Sequence, residues 1–264
     1  MCRLIAAVIA SSLASASAAE TSGPLRDVIK LDTATGLTTD EVHTSVSVTL
    51  DHAFDDHWHV VGGPVWERFE FSELAVPVPG TLQFVAARIG VEYRIKDDPA
   101  FSLSIQPGCY GDEQLAHGAF DIPVTLETGY PLNDRWFLAG GFYYSRLSRF
   151  GWLPIAGVVA ELDAQLELEL VFPDTKLSYR PNDKTTLSLY EELLDNGYQL
   201  SDGRRVEYYQ CHAGLSWEQD LPGGWSVGTK VGWALARTLD FYRQGRIAHP
   251  DSTPFVEIGW SKKW

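Results

Sequence analysis

Cysteine is scarce in this chain, three in 264 residues, so no disulfide framework can hold it together. Basic residues are also few: 21 Lys and Arg stand against 35 Asp and Glu, and the net charge of -14 argues against nucleic acid as a partner. No segment reaches the ~20 consecutive apolar residues of a membrane helix. With 45% hydrophobic and 21% charged residues, the chain is neither disordered by composition nor a bundle of membrane helices. What remains is a globular domain or a chain that crosses a membrane by strands. Aromatic residues, in contrast, are plentiful at 12%, with nine Trp. The length suits one or two domains, and a single all-β domain of 200 to 250 residues is within range.

The first residues read as an export signal. Met1-Cys2-Arg3 is a short positive start, Leu4 to Leu13 is an apolar stretch too short to span a bilayer, and Ala14-Ser15-Ala16-Ser17-Ala18-Ala19 supplies small residues for cleavage, expected after Ala18. Residues 1–18 are therefore assigned to a cleaved signal peptide and 19–264 to one domain. Cys2 precedes the apolar stretch, so it is not placed to carry a lipid anchor.

The rest of the chain has a period of two. Val42, Val46, Val48, Leu50 and Phe54 alternate with polar residues, as do Val85, Ala87, Ile89, Val91, Tyr93 and Ile95 with Arg88, Glu92 and Arg94. The pattern returns with Phe120 to Tyr130 around Asp121 and Glu127, with Trp225 to Leu235 around Lys230, and with Val256 to Trp264 around Glu257. Repeated alternating segments of about ten residues are the signature of a transmembrane β-barrel. Residues 160–170 are rich in helix formers, but Leu166, Leu168, Leu170 and Phe172 alternate with Glu167 and Glu169 and favour a strand. A helix over Leu189 to Leu194 is the one departure that composition allows.

Connections follow the barrel rule of short turns alternating with longer loops. Turn residues cluster at Asp55-Asp56, Lys96 to Pro99, Leu132 to Asp134, Pro181 to Asp183 and Leu221 to Gly224; longer connections are expected around 72–81, 111–118, 146–152, 195–204 and 241–252. Taking the short turns as periplasmic requires a first strand near Asp27 to Thr33. The expected fold is thus an all-β, antiparallel transmembrane barrel of about 12 to 14 strands with short periplasmic turns and longer extracellular loops. Aromatic residues flank the short turns on the apolar face, at Phe54, Trp58, Tyr93, Phe101, Tyr130, Trp136, Trp217 and Trp225. That is where amphipathic rings sit at a membrane interface.

Gln106-Pro107-Gly108, Leu153-Pro154-Ile155-Ala156-Gly157, Phe172-Pro173, Leu177-Ser178-Tyr179-Arg180-Pro181, Val231-Gly232-Trp233-Ala234 and Arg237 together resemble an uncharacterised family of bacterial outer-membrane β-barrels. The resemblance covers most of the exported chain and implies an outer-membrane location, with no activity to carry over. The C-terminal Trp264, with Trp260, Ile258 and Val256 at alternate positions, resembles the signal recognised by the barrel-assembly machinery, although Lys262 lies near it.

Charges on one strand face belong inside such a barrel, because a Lys or Arg facing lipid at the midplane costs about 2 to 4 kcal/mol. The parity therefore assigns Arg88, Glu92, Arg94, Asp121, Glu127, Glu167, Glu169, His212, Lys230 and Glu257 to the lumen. They either fill it by pairing or line an acidic path, a porin-like channel for small solutes that favours cations. A structural or surface-interaction barrel with a filled lumen is the alternative. His43 and Ser45 share a strand face and raise a third reading, a membrane-embedded lipid hydrolase, for which the sequence offers no orienting residue. No catalytic residue, metal or cofactor is assigned; Asp55-Asp56-His57-Trp58-His59 reads as a turn. Cys109 and Cys211 both fall on the lipid face of separate strands, which disfavours a disulfide. Arg146 with Arg149, Arg204 with Arg205, and Arg243 with Arg246 fall in or beside three outer loops, where guanidinium forks suit the phosphates of lipopolysaccharide. Expected partners are outer-membrane lipid, lipopolysaccharide and the barrel-assembly machinery.

Overall fold

The computed structural model describes residues 28–72, 79–95, 98–115, 119–242 and 244–264. The signal segment, the Lys96-Asp97 turn and Arg243 lie outside these residues. Every regular element among the described residues is a strand: β1 Val28–Leu37, β2 Glu41–Ala53, β3 Trp58–Phe71, β4 Thr81–Ile95, β5 Asp98–Ile105, β6 Gly108–Gly111, β7 Phe120–Asp121, β8 Val124–Pro131, β9 Trp136–Tyr144, β10 Trp152–Glu161, β11 Leu166–Phe172, β12 Asp174–Asn182, β13 Thr185–Gln199, β14 Arg205–Leu221, β15 Trp225–Phe241, β16 Arg246–Ala248 and β17 Thr253–Lys263. The region Leu189 to Leu194 is part of strand β13, not a helix, because Leu189 and Leu193 take one pleat face while Tyr190, Glu192 and Leu194 take the other.

Three staves of the barrel are broken strands. Pro107 interrupts β5 from β6 and Pro123 interrupts β7 from β8, since proline has no N–H to give to a ladder. Residues 249–252 separate β16 from β17, which both pair with β15. Merging each broken pair gives 14 staves, and β17 closes the ring by pairing with β1 in antiparallel register from Lys30↔Lys263 to Leu37↔Val256. Closure removes the exposed edge that an open sheet would present.

The two faces of this wall differ as the alternation requires. Val42, Leu50, Val85, Ile89, Leu189, Leu215, Val231 and Ile258 point outward and are exposed, and water would not tolerate so continuous an apolar belt. Around the rim of short turns the exposed rings include Phe54, Trp58, Tyr130, Trp136, Trp217, Trp225 and Trp264. Both described chain ends lie at this rim, where the Trp264 N–H donates to the Ile29 carbonyl at 2.9 Å.

The opposite rim departs from a simple loop-ringed mouth in two ways. First, β11 and β12 turn at Pro173 after strands of only 7 and 9 residues, so this outer connection is a tight turn low in the wall and not a long loop. Nothing in the residues signals this length, because a proline between two apolar stretches suits either a loop or a turn. Second, the β13–β14 hairpin leans across the mouth. Gln199 pairs with Gly111 of β6, which is not its neighbour around the ring, and Ser201 donates to Asp112 through both its N–H and its hydroxyl, at 2.8 and 2.6 Å.

Candidate functional site

The inward faces build two layers. Beneath the outer mouth is an apolar plug in which Val65, Phe69, Leu82, Phe84 and Tyr110 of one wall meet Leu147, Tyr198, Val206, Tyr208, Leu239 and Phe241 of the other. Both walls alternate inward at these heights, so leaning one hairpin across the mouth brings two apolar faces together. The β9–β10 connection, residues 145–151, braces the hairpin from behind: the Ser148 hydroxyl donates to Glu207 at 2.5 Å, the Arg149 N–H reaches the same carboxylate at 2.9 Å, and the Arg149 guanidinium binds Asp240.

At the floor of the plug lies a buried ionic cluster. Arg237, 1% exposed, donates to Glu41 at 3.1 Å and to Asp40 at 2.9 Å; Gln210 donates to Glu41 at 3.1 Å, and the Tyr208 hydroxyl also donates to Glu41. Arg237 is inward because the β14–β15 register slips between Tyr209 and Cys211, opposite Ala236, whose φ is 47°. A bulge inverts every later side chain on its strand. Leu235 is therefore exposed and outward, whereas Arg237, Leu239 and Phe241 turn into the mouth.

Below the plug is a cavity of about 430 Å³ bounded by staves from both sides of the barrel. Its carboxylates, among them Asp32, Glu67, Glu169, Asp174, Glu192 and Glu257, outnumber its cations Lys30, Arg88, Lys176 and Lys230. Of the residues assigned to the lumen from sequence, Arg88, Glu169, Lys230 and Glu257 line this cavity directly. His212 stacks on Phe255 with ring centroids 4.2 Å apart and lies 3.7 Å from Glu192, whose other oxygen accepts from Lys230 at 2.6 Å. Glu167 pairs with Arg180 at 3.0 Å on the adjoining wall. Glu92 and Arg94 sit nearer the short turns, where Arg94 bridges Glu92 and Asp51, and Asp51 also meets His59 at 2.8 Å. Glu127 faces inward in the field of Glu92 and Arg88.

Asp121 has a different task from its lumen assignment: it accepts from the Ser145 hydroxyl at 2.7 Å and the Leu147 N–H at 3.2 Å, and so anchors the brace. The sequence did not point to Glu41, Tyr208 or Gln210, since each is an ordinary member of an alternating strand and their meeting depends on the lean of a hairpin. His43 and Ser45 face inward, and His43 meets Glu67 at 2.9 Å and stacks on Phe69. The carboxylate missing from the sequence reading is therefore present, but the group lies in the lumen, away from the lipid rim where a lipid hydrolase would need it. Cys109 and Cys211 are free thiols on separate staves.

Among the outer arginines, Arg146 donates to the Phe120 carbonyl at 2.5 Å, Arg204 pairs with Asp202 at 2.5 Å, Arg205 donates to Gln199 at 3.1 Å and Arg246 lies over Phe241. The Asp202 carboxyl is held below its ordinary range by the Arg204 backbone N–H and guanidinium. These guanidiniums all have contacts within the protein, which leaves only their remaining N–H groups for an external phosphate.

No family model and no curated protein sequence matches the chain significantly. Among solved structures it is similar to the toluene transporter TodX of Pseudomonas putida, at 12% identity and a TM-score of 0.50, covering 97% of this chain and 93% of that one. It is also similar to an outer-membrane channel from Pseudomonas putida F1, at 10% identity, TM-score 0.43 and coverages of 93% and 97%. A KdgM porin gives 9% identity, TM-score 0.38 and coverages of 88% and 98%. At such identities the likeness to the transporter shows the fold: this chain folds as a closed antiparallel barrel of the outer-membrane kind.

Proposed function

We propose that this protein is a porin-like channel for small solutes in the bacterial outer membrane, closed at rest on its external side and not an enzyme. The observation that carries this reading is the cavity edged by charged side chains inside a membrane-spanning wall: a barrel serving only as a wall or an anchor has no need of about 430 Å³ of interior space. The apolar belt and the aromatic rim support the location. The excess of carboxylates attracts cations into the cavity, and the apolar plug with its ionic floor closes the mouth until something moves it.

Purified protein in planar bilayers is expected to show long closed periods broken by discrete openings with cation preference. The Glu192→Gln, Glu257→Gln double variant should shift the reversal potential toward zero under a salt gradient. A barrel silent at every voltage would favour the filled structural barrel instead.

A further inference from the structure

Arg88 stands apart from the other cations of the cavity. Lys30 pairs with Asp32 at 2.9 Å, Lys230 donates to Glu192 at 2.6 Å, and Lys176 lies 4.0 Å from Glu169. Arg88 has no ion pair or side-chain hydrogen bond among the described residues, although Asp32, Asp51, Glu92 and Glu127 all lie in its field. Three of these carboxylates are committed elsewhere: Asp32 to Lys30, and Asp51 and Glu92 to Arg94, each at 2.9 Å. The cross-strand partner of Arg88 on β3 is Gly63, so no side chain covers it from that position. The guanidinium therefore borders the cavity with its fork open.

The facing wall has the opposite character. Counting merged staves in chain order, β4 is the fourth and β13 the eleventh, so they stand across the ring of 14 from each other. From β13, Tyr190 and Glu192 line the same cavity as Arg88, with Glu169 of β11 and Asp174 of β12 on the neighbouring staves. That wall already holds one ammonium: Lys230 Nζ lies 4.8 Å from the centre of the Tyr190 ring while bonded to Glu192. An aromatic face beside a carboxylate is a favourable setting for such a group.

The two walls make different demands on a solute. A guanidinium fork matches a carboxylate through two parallel hydrogen bonds. A solute that is only an anion meets the excess of carboxylates around the rest of the cavity and is repelled. One that is only a cation leaves Arg88 without a partner. A carboxylate and an ammonium on one small molecule answer both walls, and about 430 Å³ is within the roughly 300 to 1,000 Å³ of small-molecule sites.

We propose that the cavity binds small zwitterions of the amino-acid kind, with Arg88 taking the carboxylate and the Tyr190–Glu192 wall an ammonium. The proposal rests on the channel reading above and deepens it by naming the solute class. Zwitterions that are neutral or singly positive overall fit the acidic lining, whereas dicarboxylates do not.

L-Lysine and cadaverine provide the test, since cadaverine is lysine without its carboxylate. Attraction by an acidic lining alone ranks the dication cadaverine above the monocation lysine. In planar bilayers the site predicts the reverse: lysine should interrupt the open-channel current at severalfold lower concentration than cadaverine. Arg88→Gln should invert that order, and Arg88→Lys, which keeps the charge but not the fork, should narrow it. Cadaverine blocking the wild type at the lower concentration, or an order that Arg88→Gln leaves unchanged, would overturn the assignment. Heat-modifiable gel mobility reports whether each variant is folded, and Arg88→Lys carries the comparison if Arg88→Gln is not. A barrel that never opens would sink the channel reading, yet the site would still be testable, because a ligand stabilises the folded state that binds it. Lysine should then raise the unfolding temperature of the detergent-refolded wild type more than cadaverine does, and Arg88→Gln should abolish the difference. Equal shifts with the two amines would remove the zwitterion site.

Discussion

Arg237 is the residue on which the closed mouth depends most. Its guanidinium is buried, and its two terminal nitrogens donate to Glu41, Asp40 and the Asp251 carbonyl, so it ties the β1–β2 turn, the upper part of β15 and the segment before β17 into one unit. Removing one partner of such a cluster leaves a charge stranded out of water, at a cost of about 3 to 5 kcal/mol. Arg237→Met strands Glu41 and should loosen the plug above it. The expected result is more frequent opening in planar bilayers and a lower temperature of heat-modifiable gel mobility. The Arg237→Met, Glu41→Gln double variant should recover part of the thermal loss, because the second change removes the stranded charge. Unchanged gating in both would show that the plug holds without its ionic floor.

Among the elements, β15 shows both what the sequence reveals and what it hides. Its alternation, with Val231, Trp233 and Leu235 against Lys230 and Gly232, is visible in the sequence and holds as far as Leu235. Beyond that point one extra residue inverts the pleat, and no propensity marks it: Ala236 occupies a left-handed conformation, φ 47°, that glycine would normally fill. Alternation of this kind makes Arg88, Glu169, Lys230 and Glu257 of the cavity wall legible, while the Glu41, Tyr208 and Arg237 cluster was invisible. Parity is a local property, whereas contacts across a mouth depend on how far each hairpin leans. The short β11–β12 hairpin was hidden in the same way, since Phe172-Pro173 is compatible with a turn at any height in the wall. Ala236 also offers a direct test. An L-residue in this region costs about 1 to 2 kcal/mol, so Ala236→Gly should raise barrel stability by about 1 kcal/mol, after the loss of unfolded-chain order is deducted. Urea unfolding in detergent micelles measures it. A destabilised variant would mean that the Ala236 methyl group contributes packing that outweighs the relief of strain.

At the scale of the whole molecule, the seam of the ring between β1 and β17 joins the two ends of the chain, so the last strand can enter its place only when nearly all the others are made. Trp264 closes that strand at the rim of short turns: its N–H is tied to Ile29, its ring is largely exposed, and Lys262 lies over it and over Trp225. A ring so exposed adds little to the folded interior, but its amphipathic body anchors the rim at the level of the lipid headgroups. The alternation Val256, Ile258 and Trp260 leading to it places four apolar groups on the outward face of one terminal strand, the pattern expected of a segment presented to the assembly machinery. Deleting Trp264 should therefore impair insertion much more than it impairs the stability of barrels already inserted. Pulse-chase fractionation is expected to show slow transfer from periplasm to outer membrane, with the inserted fraction retaining normal heat-modifiable mobility. Normal transfer kinetics would mean that the terminal ring acts as an interface anchor and carries no assembly signal.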